Sequence, residues 1–108
     1  MIELPHLIER YFELAGDPGR RDEYVALFAP DAVVTDEGRT HRGRDEIRRW
    51  RDGTPQVTYD VTDIATDDGA AVVTATITGD FPGSPFPGLR FRFQRFDDEA
   101  VRELIIAP

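Results

Sequence analysis

The sequence predicts an α+β fold in which a cone-shaped, curved antiparallel sheet wraps around N-terminal helices and encloses a pocket. Three observations predict it. Apolar residues in the first half recur at three- and four-residue spacing, the period of an amphipathic helix. From Gln56 onward they alternate at period two, with turn signals at Asp67-Asp68-Gly69 and Asp97-Asp98-Glu99. The length of 108 residues, 40% of them hydrophobic and seven of them Phe, suits one domain spanning 1–108 around one core.

The first helix is expected over Glu3 to Ala15, with Pro5 tolerated in its first turn. Leu4, Leu7, Tyr11 and Leu14 fall on one stripe, with Ile8, Phe12 and Ala15 beside it. Gly16 stops the helix and Asp17-Pro18-Gly19 turns the chain. A short second helix follows, with Asp22 as its expected N-cap and Tyr24, Leu27 and Phe28 on one face. Pro30 ends it by pushing Ala29 out of helical geometry. Ala32 to Asp36 reads as a strand, Glu37-Gly38 as a turn, and Arg39 to Arg42 as a minor strand that pairs back. A third helix runs from about Arg44 to Arg51, with Asp45 and Glu46 in the first turn, where the helix dipole favours acids. Ile47 and Trp50 are its apolar edge.

Strands are then expected at Gln56–Thr66, Ala70–Gly79, Leu89–Phe96 and Ala100–Ile106. Asp67-Asp68-Gly69 makes the first connection a hairpin. Asp80 to Gly88 reads as a loop, because its three prolines cannot donate to a ladder.

Composition excludes several functions. A net charge of −8 argues against non-specific nucleic-acid binding, which needs a cationic surface. The absence of Cys rules out disulfides and thiolate chemistry, and two His argue against a His-rich metal site, so no metal and no cofactor are expected. No apolar run reaches the length of a membrane span and no secretory signal is visible, so a cytoplasmic protein without membrane contact is expected. All 13 basic residues are Arg, and with abundant Ala, Asp, Gly and Pro this suggests a GC-rich bacterial source.

The order of elements resembles the SnoaL-like proteins of the nuclear transport factor 2-like superfamily. The resemblance is carried by Ile8-Glu9-Arg10-Tyr11, by Val25-Ala26-Leu27-Phe28-Ala29-Pro30-Asp31-Ala32 and by Val34-Thr35-Asp36, with Gly43, Ile47 and Trp50 adding to it. Within that superfamily the nearest mechanistic analogy is the bacterial ketosteroid isomerase, which uses an Asp base and an oxyanion hole of Tyr and protonated Asp. The resemblance implies that Asp36 matches the base and Tyr11 the oxyanion donor. The place of the third acid falls near Leu89 or Arg92, neither of which is a carboxylic acid.

Asp36 therefore has two readings. It either caps the Glu37-Gly38 turn, or it is a general base held in a mostly apolar cavity. Tyr11 either packs in the core or aims its hydroxyl at a ligand oxygen. If both face one space, Asp36 would take a proton next to a carbonyl while Tyr11 stabilises the enolate. His41 is a third catalytic candidate, since a tight turn would bring it close to Asp36; the other reading is an exposed His. Leu7, Phe28, Trp50, Phe91 and Phe93 are the expected pocket wall, and His6 is expected on the surface. Asp60 either lines a polar wall, where Arg92 would pair with it, or faces water; an Asp-Arg-Asp set resembles the water-activating site of the limonene epoxide hydrolases, and Phe81 and Phe86 would form a lid or a solvated loop. Two functions stand: a cofactor-independent isomerase or cyclase acting on an apolar small molecule, a carbonyl compound, or a non-catalytic module that binds such a ligand or dimerises. Thr74, Thr76 and Thr78 on the outer sheet face suit a homodimer.

Overall fold

The computed structural model describes residues 3–108. Three α-helices, α1 (His6–Ala15), α2 (Arg21–Ala26) and α3 (Gly43–Asp52), pack with one six-stranded sheet. Its strands are β1 (Phe28–Asp36), β2 (Arg39–Arg42), β3 (Val57–Asp67), β4 (Ala70–Gly79), β5 (Phe86–Phe96) and β6 (Val101–Ala107), in the order β2-β1-β6-β5-β4-β3.

The sheet is mixed, which corrects the antiparallel expectation. β1 and β6 run parallel, Val34 facing Leu104 and Asp36 facing Ile106, while every other pair is antiparallel. A hairpin fixes the direction of its two strands, but β1 and β6 share no hairpin. A parallel pair needs a long connection, and the whole chain between them provides it.

Several element boundaries move, each for a local reason. α1 begins at His6, because Pro5 sits at the N-cap with ψ 144° and its carbonyl accepts the first helical bond from the Glu9 amide at 2.9 Å. Asp22 does not cap α2 but lies in its first turn; the capping acid is Asp17, which accepts from the Gly19 amide at 3.0 Å and starts a short 3₁₀ turn, Pro18–Arg20. Pro30 does not end the second helix, which stops at Ala26; it lies inside β1. The β1–β6 register shifts between Phe28 and Val33, so Pro30 falls where no ladder donor is required. Arg44 Nε donates to the Phe28 carbonyl at 2.8 Å and satisfies an acceptor at the start of this stretch. The same device absorbs Pro87. β5 starts at Phe86, earlier than expected, and its register against β4 slips between Leu89 and Phe86.

The α1 stripe buries Leu7, Ile8, Tyr11, Leu14 and Ala15 as its spacing requires. It meets Val73 of β4, Phe91 and Phe93 of β5 and Leu104 of β6 in one core. Burying each such large side chain stabilises the fold by roughly 1.5–3 kcal/mol. The sheet leaves two edges, the four-residue β2 and the eleven-residue β3, and β3 carries exposed Asp60, Asp63 and Asp67.

Candidate functional site

The β1–β2 hairpin turns through Glu37 (φ 52°) and Gly38 (φ 75°), two left-handed residues of the kind that match the twist of paired strands. Its register sets Val34 opposite His41 and Asp36 opposite Arg39. Alternation therefore places Val34, Asp36, Arg39 and His41 on one face, and buried Val34 marks it as the inner one. α3 crosses this face. Ile47, Trp50 and Arg51 are its buried residues, at the i, i+3 and i+4 positions of one stripe.

Trp50 links the two elements. Its indole Nε1–H donates to Asp36 Oδ2 at 3.0 Å. The His41 ring stacks on it at 5.7 Å, 28° from parallel. Asp36 and His41 are thus joined through Trp50, and among the described residues no hydrogen bond connects them directly.

Arg51 lies beside Trp50 and is only 7% exposed. Its Nη2 donates to the Ala15 carbonyl, an unfilled acceptor at the end of α1, at 3.0 Å. The guanidinium carbon sits 5.2 Å from the Tyr24 ring centre and 5.4 Å from that of Trp50, within cation–π range. Nε has no hydrogen-bond partner, and no carboxylate among the described residues pairs with the group. Burial works against the charge, but the surrounding tyrosines, led by Tyr24 and Tyr59, leave its pKa above the ordinary Arg value. Arg51 is a cation at any working pH.

An open hollow of about 850 Å³ lies over these residues. Asp36, Trp50 and Arg51 contribute its polar lining, and Val57, Leu89 and Phe91 are among its apolar walls. Phe81 and Phe86, from either end of the Pro-rich stretch, also line it. Of the residues expected here, Asp36, His41, Trp50 and Phe91 line the hollow.

Tyr11, Leu7, Phe28 and Phe93 do not. They lie in the closed core, with Tyr11, Phe28 and Phe93 each 0% exposed. The Tyr24 hydroxyl donates to the Tyr11 hydroxyl at 3.1 Å, and Phe12, Phe91 and Phe93 meet the Tyr11 ring edge-on. Burial, and after it the nearby Tyr24, pushes the Tyr11 phenol well above its ordinary 10.0; burial also raises Tyr24. The expected meeting of phenol and carboxylate in one hollow is therefore corrected: a layer of packed aromatic rings separates Tyr11 from it. The Asp60–Arg92 pair is corrected too, since Arg92 Nη1 binds Asp67 at 2.7 Å and Asp60 is exposed. His6 is exposed, as expected. Among the described residues no group of three His, Cys, Asp or Glu is placed to hold a metal. Among the described residues no helix is long and apolar enough to cross a membrane.

Sequence reading missed Arg51. The signal was present, because Arg51 follows Ile47 by four residues on the apolar stripe of α3, but a charged side chain is ordinarily assigned to the solvated face.

Three helices against one six-stranded mixed sheet define the nuclear transport factor 2-like α+β class. Within that class a SnoaL-like domain model matches residues 8–104, and the chain belongs to that family. It is similar to a candidate polyketide cyclase from Sinorhizobium meliloti, at 34% identity over 96% of this chain and 95% of that one, with a TM-score of 0.84. It also resembles a protein of ketosteroid isomerase-like fold from Catenulispora acidiphila, solved in complex with trimethylamine, at 19% identity over 98% and 87% of the two chains and a TM-score of 0.80. A candidate ketosteroid isomerase from Kribbella flavida shares 20% identity over 94% of this chain and 74% of that one, with a TM-score of 0.71. No curated protein matches the chain.

Proposed function

We propose that the hollow takes a small, mostly apolar carbonyl compound and that Asp36 acts on it as a general base, without a cofactor. The observation that carries this reading is the Trp50–Asp36 hydrogen bond. It fixes Oδ2 at 3.0 Å and leaves Oδ1, on the same carboxylate, without a partner among the described residues. A base needs one free oxygen held in a defined direction. Oδ1 would remove a proton from the carbon next to the carbonyl, and the electron pair would move onto the carbonyl oxygen as an enolate. In a β,γ-unsaturated compound the enolate is a dienolate, and returning the proton at its γ-carbon gives isomerisation. Attack of the enolate carbon on a second carbonyl gives ring closure. The likeness to a candidate polyketide cyclase supports the second outcome.

Asp36→Asn keeps the shape of the side chain and an acceptor for the Trp50 N–H but removes the base. Turnover of an identified substrate should fall by about 10²–10⁴-fold while the fold is retained. Activity that survives this change would show that the base lies elsewhere.

The sealed position of Tyr11 favours a second reading, a non-catalytic module that binds the same kind of ligand, because the enolate donor implied by family resemblance lies behind the wall. In either reading the outer sheet face, with Thr74 and Thr76 half-buried and Thr78 exposed, would form a two-fold contact. Light scattering that returns only monomer at high concentration removes that contact.

A further inference from the structure

The hollow contradicts the charge of the chain that makes it. The protein carries a net charge of −8, yet among the side chains that line the hollow three arginines, Arg39, Arg49 and Arg51, stand against two acids, Asp36 and Glu37. Arg51 is the most informative of them. It is 93% removed from solvent by its 7% exposure, and eight ion pairs elsewhere among the described residues leave it out. A buried charge is strongly unfavourable unless it is paired, and the Ala15 carbonyl, the nearby Tyr59 hydroxyl and the Tyr24 and Trp50 rings supply only partial charges. Nε, a donor that normally finds an acceptor when buried, has none. An interior guanidinium with no anion of its own, in the lining of an open hollow, is complementary to an anion brought from outside.

We propose that Arg51 is the anion-binding residue of this hollow and that its ligand is a compact organic acid, with the carboxylate at the guanidinium and the hydrocarbon against Val57, Ile77 and Leu89. The proposal rests on the same hollow as the general-base reading and narrows its substrate to an oxo acid. It gives Arg51 a part separate from that of an enolate donor: holding the ligand by its carboxylate while Asp36 meets the C–H. Asp36 opposes an anion by charge, and this sets the orientation of the ligand: carboxylate toward Arg51, neutral C–H toward Asp36.

The test is calorimetric titration of the full chain with phenylacetate and with phenylacetamide, its neutral counterpart of the same shape. Phenylacetate should bind at least about tenfold more tightly than the amide. Arg51→Met should weaken phenylacetate by about tenfold or more and leave the amide unchanged, a charge selectivity that a merely structural Arg51 would not produce. Asp36→Asn should bind phenylacetate at least as well as the parent, so the acid site and the base can fail separately. Absence of phenylacetate binding up to about 10 mM, equal affinity for acid and amide, or a loss confined to the double variant Arg39→Gln, Arg49→Gln would each overturn the proposal. If Arg51→Met does not fold, the acid-against-amide comparison on the parent and the double variant decides alone.

Discussion

Tyr11 and Arg51 both pack against Tyr24, Tyr11 in the closed core and Arg51 in the lining of the hollow, and the interior treats them in opposite ways. Both sit on apolar stripes, Tyr11 on α1 and Arg51 on α3, and both bring a polar tip into the interior. At the closed end the tip of Tyr11 meets the tip of Tyr24, and the surrounding rings complete the packing. At the open end Arg51 has one backbone carbonyl, the nearby Tyr59 hydroxyl and two ring faces, and keeps an unfilled donor among the described residues. The difference shows that burial alone does not mark a structural residue. A matched polar group belongs to the architecture, whereas an unmatched charge beside open space points to something that is not part of the chain.

The contrast can be broken most forcefully at the closed end. Phe93→Ala should destabilise the protein by about 3–5 kcal/mol in urea unfolding, because its neighbours cannot collapse into the gap. Leu89→Ala, at the half-buried wall of the hollow, should lose far less. Equal losses would mean that the two ends are packed alike.

Alkaline unfolding sharpens the comparison next. The pKa values of Tyr11 and Tyr24 are raised in the folded state, so their contribution is fully present below the ordinary 10.0. Above that value the unfolded chain loses phenolic protons that the folded chain retains, and stability falls as pH rises. The expected slope approaches about 1.4 kcal/mol per pH unit for each phenol. Tyr11→Phe should flatten the slope measured by thermal unfolding between neutral pH and pH values above 10.0.

The smallest effect belongs to the surface. Arg48 and Asp22 pair at 2.7 Å with Asp22 91% exposed, and Asp22→Ala should change stability by no more than about 0.5 kcal/mol, fading as salt is added.

Much of this fold was legible because its signals are local. The α1 stripe, the Asp68-Gly69 hairpin turn and the alternation along β4 each state their structure within a dozen residues. The parallel seam between β1 and β6 was not legible, because Val34 and Leu104 meet across most of the chain and no local pattern encodes that choice of direction. Pro30 and Pro87 misled for a related reason: a register slip that removes the need for a ladder donor is a property of two strands, and neither strand shows it alone. At the site, the strand-end position of Asp36 could be read from the turn that follows it. Its indole partner fourteen residues away could not. Nor could the closure of the wall in front of Tyr11, which needs Phe12, Phe91 and Phe93 together.

The outermost ribbon has a consequence for the protein's behaviour in crowded solution. β3 is an eleven-residue edge whose unpaired side could template strand addition by another molecule, and exposed Asp60, Asp63 and Asp67 stud it at short intervals. Like charges facing an approaching copy disfavour strand addition there, and the register slip between Val61 and Asp63 makes the edge less regular. Asp60 and Asp63, which make no ion pair among the described residues, thus oppose strand addition without serving the fold that carries them.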